Sequence, residues 1–127
     1  MKQTAWADLP NAKHIDRILA DLGKNPGGWY DARVAAWDAA WGAAWDAAWD
    51  AARDAARDDA WYAARSAAWN AAETAAWDAA QDAILALIAY DDCAYLLDEK
   101  PEQVKKLVAG GDHQAILLYP ACIALHS

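Results

Sequence analysis

The chain has 127 residues and a formal net charge of −8, with nine tryptophans and two cysteines. This length is enough for one domain with a single core. The acidic balance argues against a protein that coats duplex nucleic acid or an anionic membrane, because both require clustered Lys and Arg. No stretch of eighteen uninterrupted apolar residues exists, because Asp or Arg recurs throughout the repeat, and the first residues lack the apolar core of a signal peptide. We therefore expect a cytoplasmic protein without a membrane span.

Residues 1–28 predict a short helix followed by a turn. Asp8 or Asn11 can cap the start of this helix, and Gly23 ends it. The Gly- and Pro-rich run that closes at Gly28 predicts a loop, and a long helix begins near Trp29. Apolar residues recur at the spacing of one helical face at Ile15, Ile18, Leu19 and Leu22.

From about Val34 to Asp82 the chain repeats the pattern Ala-Ala-Trp-Asp with a period of four residues. An α-helix has about 3.6 residues per turn, so each repeat moves the large side chain by roughly 40° around the axis. On one straight helix the large side chains would cover most of the circumference, so the segment needs neighbours on several sides. The large residues are Trp37, Trp41, Trp45, Trp49, Arg53, Arg57, Trp61, Arg65, Trp69, Glu73, Trp77 and Gln81.

The arrangement of residues 29–97, which hold the repeat and a leucine-rich core helix, stays open between two alternatives. One helix of that span would be on the order of 100 Å long, whereas a domain of this size has a radius of gyration of about 14 Å. The segment is therefore either a long helix in an extended oligomer or a helical hairpin. The candidate breaks are Gly42 and the stretch from Arg57 to Asp59.

Residues 98–127 predict two further helices. The first starts between Asp98 and Pro101 and ends at Gly110 and Gly111. Asp112 caps the second, which Pro120 bends or ends. We expect this segment to form a helical cap over the tryptophan-rich surface of a single all-α domain that spans residues 1–127.

Interleaved tryptophan and arginine side chains are the best candidates for a binding site. Guanidinium groups beside indoles can stack on a planar base while they bind its phosphate. The alternative needs no ligand, because the same arginines can form cation–π contacts and ion pairs with Asp50 and Asp54 along one helix. The predicted ligand-binding residues are Trp49, Arg53, Arg57, Trp61, Arg65 and Trp69.

Catalytic and metal-binding patterns are sparse. His14, His113 and His126 are scattered, and the sequence contains no zinc-protease, phosphate-loop or nucleophile-turn motif. The acidic ladder of the repeat lacks the loop spacing that oxygen-ligated metals use. Cys93 and Cys122 lie among apolar residues and predict reduced core thiols. We expect a protein that is not an enzyme and that holds no metal or cofactor.

The run Ala-Ala-Trp-Asp-Ala-Ala-Arg-Asp-Ala-Ala at residues 47–56 resembles the alanine-rich tetrad-repeat helical proteins of phages and bacteria. Most of those proteins have no assigned function, and some resemble immunity proteins that neutralise a toxin. The resemblance covers roughly residues 33–82, and it implies a helical fold but no role for any residue.

These observations predict a non-enzymatic binding protein that self-associates, because nine tryptophans exceed what a small core can enclose. Such a protein could be a phage counter-defence module that sequesters a nucleotide-like small ligand. One alternative is an immunity or protein-interaction protein that blocks a basic partner. The other is a purely structural helical assembly.

Overall fold

A computed structural model describes residues 9–39, 42–56, 62 and 77–126. Over these residues the chain forms six α-helices and one short 3₁₀ helix, without a strand, so the predicted all-α fold is confirmed. The 3₁₀ helix, Ala94–Leu97, lies between the fourth and fifth α-helices. The α-helices are α1 (Ala12–Lys24), α2 (Pro26–Ala39), α3 (Gly42–Ala55), α4 (Trp77–Ala89), α5 (Pro101–Ala109) and α6 (His113–Leu125).

Helix α6 is the centre of the fold. It contacts α2, α3, α4, α5 and the 3₁₀ helix, and every residue from Ala115 to Cys122 is buried. A helix that is apolar around its whole circumference belongs in a core, so α6 differs from the cap that we predicted for this segment. Pro120 does not end the helix, which continues to Leu125.

The connection between α5 and α6 follows its local sequence. Gly111 has a φ of +84°, and its backbone N–H donates to Val108 O at 3.0 Å. The N–H of Asp112 donates to Leu107 O at 3.1 Å, which completes the hydrogen bonds of a left-handed helix end. Asp112 Oδ1 accepts from Ala115 N at 2.9 Å, so the predicted cap of α6 is confirmed.

In most repeats of the described part of the chain, one alanine is buried in the core. It is the second alanine of the pair, directly before the large residue. The first alanine of the pair is exposed at positions 35, 47 and 55. A methyl group at the contact allows helix axes to approach closely, and both α2 and α3 pack against α6. The buried alanines at this position are Ala32, Ala36, Ala48, Ala52, Ala56 and Ala80.

The repeat does not form one straight helix over residues 29–97. Helix α2 is described to Ala39 and α3 from Gly42, and residues 40–41, next to the predicted break at Gly42, lie outside the described residues. Trp49 of α3 donates to Asp82 of α4, so these two parts of the repeat lie side by side. The other predicted break, at residues 57–59, lies outside the described residues.

Helices α1 and α2 differ at their starts from the prediction. Asn11 is the N-cap residue of α1, but its side chain makes no cap bond, and its Nδ2 donates to Leu87 O at 3.0 Å and Tyr90 O at 2.8 Å. These bonds satisfy carbonyl groups at the end of α4. The other predicted cap, Asp8, lies outside the described residues. Helix α2 begins at Pro26 and not near Trp29, because proline suits the first helical position, and only Asn25 separates it from α1.

Trp29 fixes the packing of α2 against the end of α1. Its side chain is fully buried, and its Nε1 donates to Asp21 Oδ2 at 2.7 Å. The predicted apolar face of α1 is buried at Ile15, Ile18 and Leu22.

None of the helices in the described ranges combines the length and apolar character that a membrane crossing requires.

Candidate functional site

Two of the six predicted ligand-binding residues, Trp49 and Arg53, belong to the described residues. Trp49 is half-buried, and its Nε1 donates to Asp82 Oδ1 at 2.9 Å. Arg53 is exposed and donates to Tyr62 Oη at 2.8 Å, with its guanidinium carbon 6.0 Å from the centre of the tyrosine ring. The structure therefore places the two side chains in different surroundings. The remaining predicted residues, Arg57, Trp61, Arg65 and Trp69, lie outside the described part of the chain.

Trp49 lines a cleft of about 300 Å³ formed by α2, α3 and α4. We call it the Trp–Arg cleft. Arg53 does not line it, and Arg33 of α2 supplies the guanidinium group there. The cleft is lined by Arg33, Trp37, Trp45, Asp46, Trp49, Gln81 and Asp82.

A second depression of about 250 Å³ shares Arg33 and Trp37 with the Trp–Arg cleft. Its other lining residues are Tyr30, Val34 and Asp38, which recur with them along one face of α2. Tyr30 is 61% exposed, Val34 52% and Trp37 49%. We call these three residues the α2 stripe. The stripe thus presents aromatic side chains on the surface while alanines of the same helix face the core.

Two indoles give the Trp–Arg cleft an aromatic wall. The ring centres of Trp37 and Trp45 are 5.6 Å apart, and the ring planes meet at 53°. Such tilted pairs stabilise a structure by about 0.5–1.5 kcal/mol beyond their buried area. Trp45 is almost fully buried, whereas Trp37 is half exposed. Trp37 can therefore offer a face to a planar ligand while Trp45 supports it from behind.

Arg33 has an unusual environment in this cleft. Its side chain is half-buried, and its buried Nε–H has no hydrogen-bond acceptor among the described residues. A buried donor without a partner costs about 1–3 kcal/mol, and more when the group is charged. An oxyanion in the cleft would supply the missing acceptor.

Polar groups on α3 and α4 complete the lining. Asp82 is only 6% exposed and accepts the Trp49 indole N–H. Asp46 is exposed, and Gln81 is half-buried. The cleft therefore combines one guanidinium group with two carboxylates and an amide. This combination suits a small ligand that carries both an anionic group and N–H donors, and it disfavours a ligand with many negative charges.

Arg33 was not among the predicted ligand-binding residues, because it precedes Val34, where the predicted repeat begins. The same phase extends upstream, since Trp29, Arg33 and Trp37 follow one another at intervals of four residues. Continuing the pattern towards the N-terminus would have identified Arg33 as the arginine next to the first tryptophans. Asp82 carried no such signal, because its contact with Trp49 joins residues 33 positions apart.

The two thiols lie away from this cleft. Cys93 and Cys122 are buried and unpaired, as the sequence predicted. Burial raises the pKa of Cys93 to about 12 and that of Cys122 to about 11. Cys122 Sγ lies 3.9 Å from Nδ1 of His126, but the thiolate is the nucleophilic form of cysteine. Both thiols therefore stay protonated and unreactive at neutral pH.

Other candidate chemistry is confined to isolated side chains. His113 is exposed in the first turn of α6, next to the capping Asp112. In the described part of the chain, no group of three or more His, Cys, Asp or Glu side chains is arranged to hold a metal ion.

Comparisons with known protein families, with curated proteins and with solved structures found no match for this chain.

Proposed function

We propose that this protein is a non-enzymatic binding protein that holds a nucleotide-like ligand with a single phosphate group in the Trp–Arg cleft. The observation that carries the proposal is the buried Nε–H of Arg33, which lacks an acceptor among the described residues, on a side chain that lines the cleft together with Trp37. A phosphate oxygen would accept from Arg33, and a base would stack on the exposed indole face. The cleft volume of about 300 Å³ is at the lower end of the range for small-molecule pockets.

Binding at this site requires a small movement of Arg33. Its Nε atom is covered, so a ligand reaches that donor only if the side chain shifts towards the cleft. The movement exchanges an unsatisfied donor for a charge-assisted hydrogen bond, which favours the bound state. The role is sequestration, because the lining side chains supply stacking, charge and hydrogen bonds that would hold a nucleotide in place. A phage counter-defence protein that traps a nucleotide signal would have this role.

Replacement of Arg33 tests the proposal. Arg33→Met should weaken nucleotide binding by about 10- to 150-fold, because a hydrogen bond to a charged group is worth roughly 1.5–3 kcal/mol. Mononucleotides and cyclic dinucleotides are screened by scanning calorimetry, since a ligand of the folded state raises the melting temperature by mass action. Titration calorimetry then gives the affinities. Arg53→Met is the matched control, because Arg53 occupies the same repeat position outside the cleft.

Two results would contradict the proposal. One is a screen in which no compound raises the melting temperature of the wild-type protein. The other is an equal loss of affinity in Arg33→Met and Arg53→Met.

Self-association through the α2 stripe is a second proposed function, because interface hot spots are enriched in Trp, Tyr and Arg. Light scattering at micromolar concentration should show a dimer or larger species, and Trp37→Ala should lower the measured mass. Leu107→Ala, which changes an exposed leucine on α5, should leave the mass unchanged. A wild-type monomer, or an equal effect of both variants, would count against this interface.

The alternative partner of the α2 stripe is a basic protein, since Asp31 and Asp38 are exposed on the same helix.

A further inference from the structure

The chemistry of the base edge can be inferred from the polar groups of the same cleft, and this inference rests on the proposed function. Asp46 follows Trp45 directly on α3, and the tilted ring of Trp45 contacts that of Trp37. Arg33 lies one helical turn before Trp37 on α2. A base that stacks on Trp37 with its phosphate at Arg33 therefore has its edge on the α3 side of the cleft, where Asp46 lies.

We infer that Asp46 selects bases that carry an exocyclic amino group at this edge, such as the 6-amino group of adenine, over bases with a carbonyl oxygen at that position. An ionised carboxylate only accepts hydrogen bonds. An amino group donates to it, whereas a carbonyl oxygen at the same place meets it as a second acceptor. The side chain is exposed, so it is accessible to a ligand at the mouth of the cleft.

The neighbouring acidic group does not perform this selection. Asp82 is buried and accepts the indole N–H of Trp49 at 2.9 Å, so it orients that indole. Gln81 carries both a donor and an acceptor and can pair with either kind of base edge. Discrimination between an amino and a carbonyl group therefore falls to Asp46.

Titration calorimetry with adenosine and inosine monophosphates tests the inference, because these two nucleotides differ at the 6-position of the base. The wild-type protein should bind adenosine monophosphate about tenfold more tightly, the lower limit for a charge-assisted hydrogen bond at an exposed group. Asp46→Asn should reduce the ratio of affinities to within about threefold, because an amide can accept or donate. Asp50→Asn is the control: Asp50 holds the same repeat position one step along α3, is exposed and does not line the cleft.

The outcomes separate this inference from the proposed function. Equal affinities of the wild-type protein for the two nucleotides, or a ratio that Asp46→Asn leaves unchanged, would overturn the selection by Asp46 while the binding function stands. A ratio that falls equally in Asp46→Asn and Asp50→Asn would show a general charge effect and would also overturn it. If neither nucleotide binds the wild-type protein, the inference fails, whereas the binding function fails only when the whole nucleotide screen is also negative.

Discussion

Trp29→Ala is expected to lower the free energy of unfolding by about 3–5 kcal/mol, the range for truncating a buried aromatic side chain. Trp29 is fully buried at the junction of α1 and α2. The substitution leaves a cavity there. It also removes the indole N–H that donates to Asp21 Oδ2 at 2.7 Å in the wild-type protein. A domain of this size has a total stability of about 5–15 kcal/mol, so this single change removes a large fraction of it.

Urea denaturation followed by far-ultraviolet circular dichroism measures this loss. If the slope of the unfolding free energy against urea concentration is unchanged, the shift of the midpoint reports a change in stability. Tyr30→Ala is the control, because Tyr30 is the next residue on the same helix but is 61% exposed. We expect the Tyr30 variant to lose less than about 1 kcal/mol. Trp45→Ala, in the repeat itself, should behave like Trp29→Ala because Trp45 is only 6% exposed. Similar losses in the Trp29 and Tyr30 variants would be incompatible with this packing.

Ala48→Leu is expected to destabilise the protein by about 1–3 kcal/mol, because added methylene groups must displace a close-packed helix contact. Ala48 is fully buried, and α3 packs against both α4 and α6. The adjacent Ala47 belongs to the same repeat but is exposed. Since alanine and leucine are both good helix formers, intrinsic propensity contributes little to the difference between the two positions.

The matched pair Ala48→Leu and Ala47→Leu measures which alanine of the repeat faces the core. Ala47→Leu should change the unfolding free energy by no more than about 0.5 kcal/mol in the same urea assay. If the two variants lose equal stability, the repeat does not have the orientation described here.

Local signals made much of the fold predictable. Pro101, Gly111 and Asp112 define the ends of α5 and the start of α6, because turn and cap chemistry depends on a few neighbouring residues. The start of α2 was misplaced because Pro26 was read as part of a loop, although proline is also favoured at the first turn of a helix.

The arrangement of the repeat depended on contacts that no local pattern contains. A strict period of four residues winds around a long helix, but α2 and α3 are 14 residues each and end before the drift completes a circle. Consequently one alanine per repeat can remain in the core. The central position of α6 also follows from tertiary packing, although its unbroken apolar run from Ala115 to Cys122 was a signal for it.

Trp49 is the one residue of the predicted binding set that lines the cleft within the described part of the chain. Stacking indoles beside a guanidinium group were expected, and Trp49 does line the cleft. Arg53 was expected there too, but its guanidinium contacts Tyr62. Arg33 takes this place because α2 and α3 both line the cleft, a proximity that sequence spacing alone does not give.

Stacking of a nucleotide on Trp37 in the Trp–Arg cleft can be followed through the indole N–H resonances of isotope-labelled protein. The resonances are assigned with Trp29→Phe, Trp37→Phe and Trp45→Phe and are followed during titration with adenosine monophosphate. We expect saturable shifts of the Trp37 and Trp45 resonances. The Trp29 resonance should stay unchanged, because that indole is buried and bonded to Asp21. Absence of any shift, or shifts that leave both Trp37 and Trp45 unaffected, would show that no nucleotide stacks at this site.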